Sequence, residues 1–435
     1  MDSRVVTAVL VLLAGALAAG ATLGLRYAAL GLAVAVMAFL FAILGRERTA
    51  VLVLGGAFAT APMYRGIIDT QGANPTDLLV LLGVLLLLPS VLTHELRVPM
   101  LYLVGLGALA VFGLRSAVVN VEPIGALLFM AVLIFYLGFF PIFIAWWQPA
   151  RATIDFLLWC YLAGQTASLL KALAEGPLVN DRYDGLAHHA NAFGMGGVVA
   201  VAIILYLLPH YRDWRVRAVL VVIALGGIAA VIMSGSRAAT VVVAAIILLV
   251  PVVERSALAA VGLAVAACVS VAFLPYAVSA TGEGSSLTRL VGDATARSAD
   301  SERSEGLDYG LERFAQNPLF GTGFDANVGL VHNLFLEVAV GVGVFGLVAY
   351  LAVLFVFARP VLGTHPLRRL SYIAWVLIVI GPAVPGLTDR TIVVPMALAI
   401  LPAVTVARQR RASPTTGGDP VATRKEVPGA ELDAR

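Results

Sequence analysis

The chain is poor in charge. Only 13% of its 435 residues are Asp, Glu, Lys or Arg, while 60% are hydrophobic and the mean hydropathy is +0.95. A soluble domain carries about 25% charged residues, so a freely soluble enzyme is excluded. The net charge is only +3, and the basic residues stand in short clusters between apolar runs. That leaves no basic face for nucleic acid. Cysteine is nearly absent: Cys160 and Cys268 both lie inside apolar segments. This excludes a disulfide framework, and no Cys or His spacing fits a metal site. Strict apolar–polar alternation is also missing, which excludes a membrane β-barrel. No internal repeat supports an inverted-repeat carrier. What remains is an all-α, polytopic transmembrane helical bundle.

Crossing the hydrocarbon core takes roughly 20 apolar residues. On that rule spans are expected near 5–25, 29–44, 50–63, 77–93, 99–119, 123–147, 153–173, 190–209, 216–234, 238–253, 257–276, 332–358, 370–387 and 390–407. Several are short, and the pairs 29–44 with 50–63 and 370–387 with 390–407 can be re-entrant hairpins, so 12 to 14 spans are expected. The segment 5–25 reads as the first helix and not as a cleaved leader, because further spans follow at once. Basic residues from Arg46, Arg97, Arg151, Arg215, Arg255 and Arg368 to Arg411 fall on alternate loops. The positive-inside rule makes that face cytoplasmic, with both termini inside. Residues 1–407 form one membrane-embedded domain in this reading. The polar, proline-bearing stretch 408–435 is a disordered cytoplasmic tail.

The longer polar loops lie on the opposite, extracytoplasmic face, near 174–189 and 277–331. Residues 281–300 are rich in Gly, Ser and Ala and read as mobile. Leu307, Tyr309, Leu311 and Phe314 then fit an amphipathic helix that Asn317-Pro318 ends. Arg303 stands near the start of that helix, where a helix N-terminus and a guanidinium together make an anion seat. Arg182, in Asp181-Arg182-Tyr183-Asp184-Gly185, is a second cation able to grip a diphosphate. Arg237, after Ser234-Gly235-Ser236, is a third. His189 and Asn191 open the next helix, with Asn191 suited to cap it or to touch a ligand. His332 sits where the loop meets an apolar helix and can take a proton near neutral pH. Asn333 follows it on a face turned to a cavity. Glu337 is poorly spaced to orient the imidazole, and Gly341, Gly343 and Gly346 read as helix packing.

In this order, Arg182…Gly185…Asn191…Gly194, Ser234-Gly235-Ser236-Arg237, Arg303…Pro318-Leu319-Phe320-Gly321-Thr322-Gly323 and His332-Asn333…Glu337…Gly343…Gly346 resemble the O-antigen ligase and O-antigen polymerase superfamily. The resemblance covers roughly residues 155–358. It implies a GT-C-like, inverting glycosyltransferase that needs no metal or other cofactor. The implied donor is a polyprenyl-diphosphate-linked glycan, the acceptor a glycan, lipid or protein, and the place the outer side of a bacterial cytoplasmic membrane, alongside polysaccharide-assembly proteins. Arg182 and Arg303 would hold the diphosphate, with His332 serving the acceptor hydroxyl. Arg237, His189, Asn191 and Asn333 would line the substrate site. Many members place a second histidine just before the one matching His332, where this chain has Leu330-Val331. Ligase and polymerase differ in acceptor and are not separated here. The alternative class is a membrane transporter or lipid-glycan flippase, which should carry ionisable residues within its spans.

Overall fold

The computed structural model describes residues 36, 39–63, 74–93, 95–177, 181–281, 284–291, 294–324 and 331–404. Among these there is no strand. The helices are α1 (Arg46–Thr60), α2 (Pro75–Val91), α3 (Met100–Val118), α4 (Pro123–Trp147), α5 (Arg151–Glu175), α6 (Ala190–Leu207), α7 (Trp214–Met233) and α8 (Arg237–Glu254). They continue with α9 (Ala257–Thr281), α10 (Ser286–Val291), α11 (Ala294–Gln316), α12 (Leu334–Ala358), α13 (Ser371–Ile380) and α14 (Arg390–Met396). The all-α, polytopic architecture is therefore as expected, including an amphipathic helix ending just before Asn317-Pro318.

Seven helices among the described residues are long and apolar enough to cross a membrane: α3 to α8 and α12. An eighth is α9, bent by 42° between Ala257–Val269 and Val271–Ser279. The expectation of 12 to 14 spans is for the whole chain; among the described residues the expected spans 50–63, 77–93, 370–387 and 390–407 fold as the shorter helices α1, α2, α13 and α14. The expected helix 5–25, most of 29–44 and the tail 408–435 lie outside the described residues.

α6 is the axis of the bundle, and nearly its whole circumference is buried. Its glycines let neighbours come close. A Cβ on Gly197 would strike the carbonyl of Gly227, and one on Gly227 would stand 2.9 Å from the Gly197 carbonyl, so α6 and α7 cross backbone on backbone. Two helices are broken, and both breaks are repaired. Pro141 has no N–H for the Leu137 carbonyl, and α4 widens into a π-turn at Phe135–Phe139. The buried Tyr102 hydroxyl donates to that freed carbonyl. In α12, Gly343 leaves helical geometry at φ 72°. The loop 317–324 docks there: Thr322 N donates to Val340 O (2.8 Å), Gly323 N to Gly341 O (3.0 Å), and Val344 N to Pro318 O (2.8 Å). Gly341 and Gly343, expected to admit another helix, admit the 317–324 loop instead, since added Cβ atoms would collide with Phe324 and Leu319, and one on Gly346 would strike Val342 of α12 itself.

Polar ties fix the two ends. At one end Arg46 meets Ser90 (3.0 Å), and Glu254 takes Arg368 (3.0 Å) and Arg369 (2.6 Å). At the other, Arg390 forks onto Asp77 at 2.9 and 2.6 Å, and the Tyr136 hydroxyl also donates to Asp77. Arg390 and Asp77 lie 313 positions apart in sequence, and their side chains keep 20% and 32% of their exposure. Replacing Asp77 by Ala leaves a guanidinium half-buried against apolar helices. We expect a loss of about 2–3 kcal/mol, below the roughly 3–5 kcal/mol of a fully buried pair. A thermal melt of the detergent-solubilised protein should show it, and an unchanged midpoint would remove this tie from the fold.

Candidate functional site: an arginine cluster

Charged side chains converge at the Asp77 end, around the turn between α7 and α8. Gly235 adopts φ 64° there. A Cβ at this position would collide with the Gly284 carbonyl and stand 2.9 Å from Arg182 Nε, so glycine is required on both counts. Two consecutive carbonyls of the turn are gripped by guanidiniums. Arg182 Nε donates to Ser234 O (2.8 Å), and Arg289 Nη1 donates to Gly235 O (2.8 Å). Arg182 Nη2 also donates to Asn191 Oδ1 (2.7 Å). Tyr183 N donates to Met233 O (3.1 Å), which ties the segment after residue 180 to the end of α7.

Arg237 opens α8 and faces α11. Its Nη1 donates to Asp300 Oδ2 (3.0 Å), and Nη2 makes the second arm of the fork with Oδ1. Burial first, then the charges of Arg289 and Arg303, lowers the Arg182 pKa to about 10. Burial and the charge of Arg237 lower that of Arg303, while Asp300 acts the other way. Arg182 still remains cationic at neutral pH. These mutual effects mean that Arg182, Arg237, Arg289 and Arg303 share one field.

His332 adjoins this field in a left-handed conformation, φ 51°. Burial, then the charge of Arg303, depresses its pKa below the ordinary 6.5, while Glu302 opposes the shift. The imidazole is thus neutral at pH 7 and able to accept a proton. The expected trio of Arg182, Arg303 and His332 is brought to one end of the bundle, and Arg237 joins it.

Other expectations need correction. Arg303 is not near a helix start: α11 begins at Ala294, so the helix-terminus part of the anion seat is absent. The residues before it, Ala-Thr-Ala-Arg-Ser-Ala-Asp, favour helix enough to extend it backwards. Within 281–300, α10 folds as helix and buries Ser285, Ser286 and Arg289. Asn191 does not cap α6. His189 does, its Nδ1 accepting from Ala192 N (3.0 Å), which leaves the neutral ring only a donor at Nε2. Asn333 caps α12 by accepting from Phe335 N and Leu336 N, both at 3.1 Å. Glu337, which is not expected to orient His332, is 3% exposed with its Oε2 3.5 Å from Gly386 N.

Two residues were missed by sequence reading. Arg289 is 6% exposed, and its only signal was a Ser285 cap before Leu287 and Leu290. Asp300 gave no signal beyond being one acid in a polar loop. A small cavity of 190 Å³ is lined by His188, His189, Asn74, Thr388, Asp389 and Arg390 among others, and by none of the four clustered arginines. A larger one of 610 Å³, between Arg48, Trp147 and Phe156, lies at the far end and contains none of these groups. Among the described residues no three His, Cys, Asp or Glu side chains are grouped to hold a metal ion.

Residues 219–351 match the protein family described as O-antigen ligase. No curated protein matches the chain. The matched stretch supplies Arg237, Arg289, Arg303, His332 and the glycine-broken α12, while Arg182, His189 and Asn191 precede it. Over residues 219–351, about a third of its length, the chain is similar to the O-antigen ligase family.

Proposed function

We propose that this protein transfers or polymerises an oligosaccharide carried on a polyprenyl diphosphate, joining it to an acceptor hydroxyl at the outer face of a bacterial cytoplasmic membrane. The match of residues 219–351 to the O-antigen ligase family supports glycan transfer in general. The convergence of Arg182, Arg237 and Arg303 beside a neutral His332 carries the finer reading. A diphosphate leaving group gains negative charge as the glycosidic C–O bond breaks. Fixed guanidiniums meet that charge without reorganising, so the reaction needs no metal for this step.

In this mechanism the acceptor oxygen attacks the anomeric carbon from the side opposite the diphosphate, which inverts that centre. Its proton passes to the His332 imidazole, and the bonding pair of the broken C–O bond leaves with the polyprenyl diphosphate. Arg303 is central because it acts on both Arg182 and His332. α11 carries Arg303 and Asp300 and exposes Leu307 and Leu311; in this mechanism it would serve as a lid at the lipid–sugar junction. The donor enters from the bilayer, and the basic ends of the helices at Arg46, Arg151, Arg255 and Arg368 face the cytoplasm. A ligase and a polymerase would share this chemistry and differ in what fills the acceptor side.

Replacing Arg303 by Ala should lower glycan transfer by about 10²–10³-fold, and replacing His332 by Ala by about 10²–10⁴-fold, with membrane expression retained. Full transfer in either variant would remove its assigned role. The rate should also depend on pH through His332. Its base form is the active one, and its pKa lies below 6.5. The rate should therefore hold through neutral pH and fall only on acidification below that value. An acid limb that persists unchanged in His332→Gln would assign the titration to another group.

A further inference from the structure

Arg182, Arg237 and Arg289 are each held by a hydrogen-bond partner, but the holders differ. Arg182 is fixed by a carbonyl and an amide oxygen, which set its position and leave its charge unbalanced. Arg237 is held by the Asp300 carboxylate in a two-armed fork. Asp300 feels more than Arg237. The hydrogen bond from Arg237 comes first, and the charges of Arg237, Arg303 and Arg289 all add to hold its carboxyl below the usual range. A carboxylate on which three guanidiniums act marks the point that an incoming phosphoryl group would also seek.

We propose that Asp300 is a specificity-determining residue: its carboxylate occupies the phosphoryl seat on Arg237, is displaced by a diphosphate, and keeps single phosphodiester headgroups off the cluster. This rests on the diphosphate-cradle reading above. A bilayer surrounds this site with anionic phosphodiesters, and an open arginine cluster would bind them. Exchanging Asp300 for such a headgroup trades one monoanion for another on Arg237 and gains little. A diphosphate brings more charge and a second phosphoryl group, so it can engage Arg237 and also reach Arg303 and Arg182. The displaced carboxylate has somewhere to go. Asp300 is 52% exposed against 22% for Arg237, so it returns to water at little cost. Discrimination of this kind is a difference between two binding free energies, set by a group that opposes the wrong ligand.

The test uses the full-length protein in nanodiscs, with farnesyl diphosphate as the probe in calorimetric titration. One set of discs is phosphatidylcholine, the other contains phosphatidylglycerol. The wild type should bind the probe equally in both. Asp300→Asn should bind it about tenfold more tightly in phosphatidylcholine and lose that gain in phosphatidylglycerol, because a headgroup now fills the seat. Asp300→Ser serves as a second variant with the same expectation. The proposal is overturned if phosphatidylglycerol weakens binding to the wild type, if both variants bind as the wild type does, or if they bind more weakly, which would make Asp300 a mere support for Arg237. Arg303→Ala is the separate control. If it binds the probe as the wild type does, the cradle reading itself fails, whatever the Asp300 variants do.

Discussion

Like charges gathered at the end of an apolar bundle repel one another, and the local structure is organised around that repulsion. Arg182 and Arg303 both titrate below the ordinary arginine range because burial and neighbouring cations disfavour their charge. A cluster of this kind persists only when the surrounding frame over-determines it. Here the frame is the Ser234–Gly235–Ser236 turn. Its two carbonyls take Arg182 and Arg289, and its glycine makes room for the Arg182 stem. The close crossing of α6 and α7 at Gly197 and Gly227 sets where that turn lies. Small residues deep in the bundle thus position charges at its end.

A second frame holds His332. The imidazole precedes α12, and α12 is not a continuous helix. Its break at Gly343 would leave backbone groups unsatisfied in an apolar setting, which is costly unless protein replaces the missing partners. The Pro318–Gly323 loop supplies them with three backbone hydrogen bonds. Asn120 Nδ2 holds the loop from α3 by donating to Thr322 O (2.8 Å), and Phe324 stacks on Phe129 with centroids 4.6 Å apart. The same loop is the direct continuation of α11, which carries Arg303 and Asp300. Docking it therefore ties the height of the arginines on α11 to the height of His332 at the start of α12.

Much of this was legible in sequence because it rests on strong local signals. Apolar length gives the long helices, Asn317-Pro318 ends α11, and the glycines of α12 announce close packing. Arg182 and His332 stand out in the sequence because each sits beside a turn or a helix entry, whereas Arg303, expected near a helix start, lies well inside α11. What failed depended on partners distant in sequence. Arg289 joins the cluster only because α10 folds onto the α7–α8 turn, 54 positions away. Asp300 matters through Arg237, 63 positions away. The cap at α6 was assigned to Asn191 on residue preference, yet His189 took it once Arg182 claimed the asparagine oxygen. Span lengths were legible less well: hydropathy alone does not tell the short apolar helices α2 and α13 from full crossings.

The choice of partners also bears on how such a site can act. Neutral oxygens orient a guanidinium and leave its field intact, so Arg182 keeps its attraction for an anion through the whole reaction cycle. A carboxylate cancels the field it touches, so Arg237 contributes little until its partner leaves. Binding energy then depends on whether the ligand can replace that carboxylate. Interactions shared equally by the bound and reacting states raise affinity without raising rate. A cradle in which one cation starts neutralised holds back part of its attraction for a ligand of the right charge. Strong ground-state capture of every passing phosphate is thereby avoided. In the proposed mechanism the arginines would divide the work: Arg182 as a fixed seat, Arg303 as the cation nearest in effect to His332, and Arg237 as the member whose charge is released on demand.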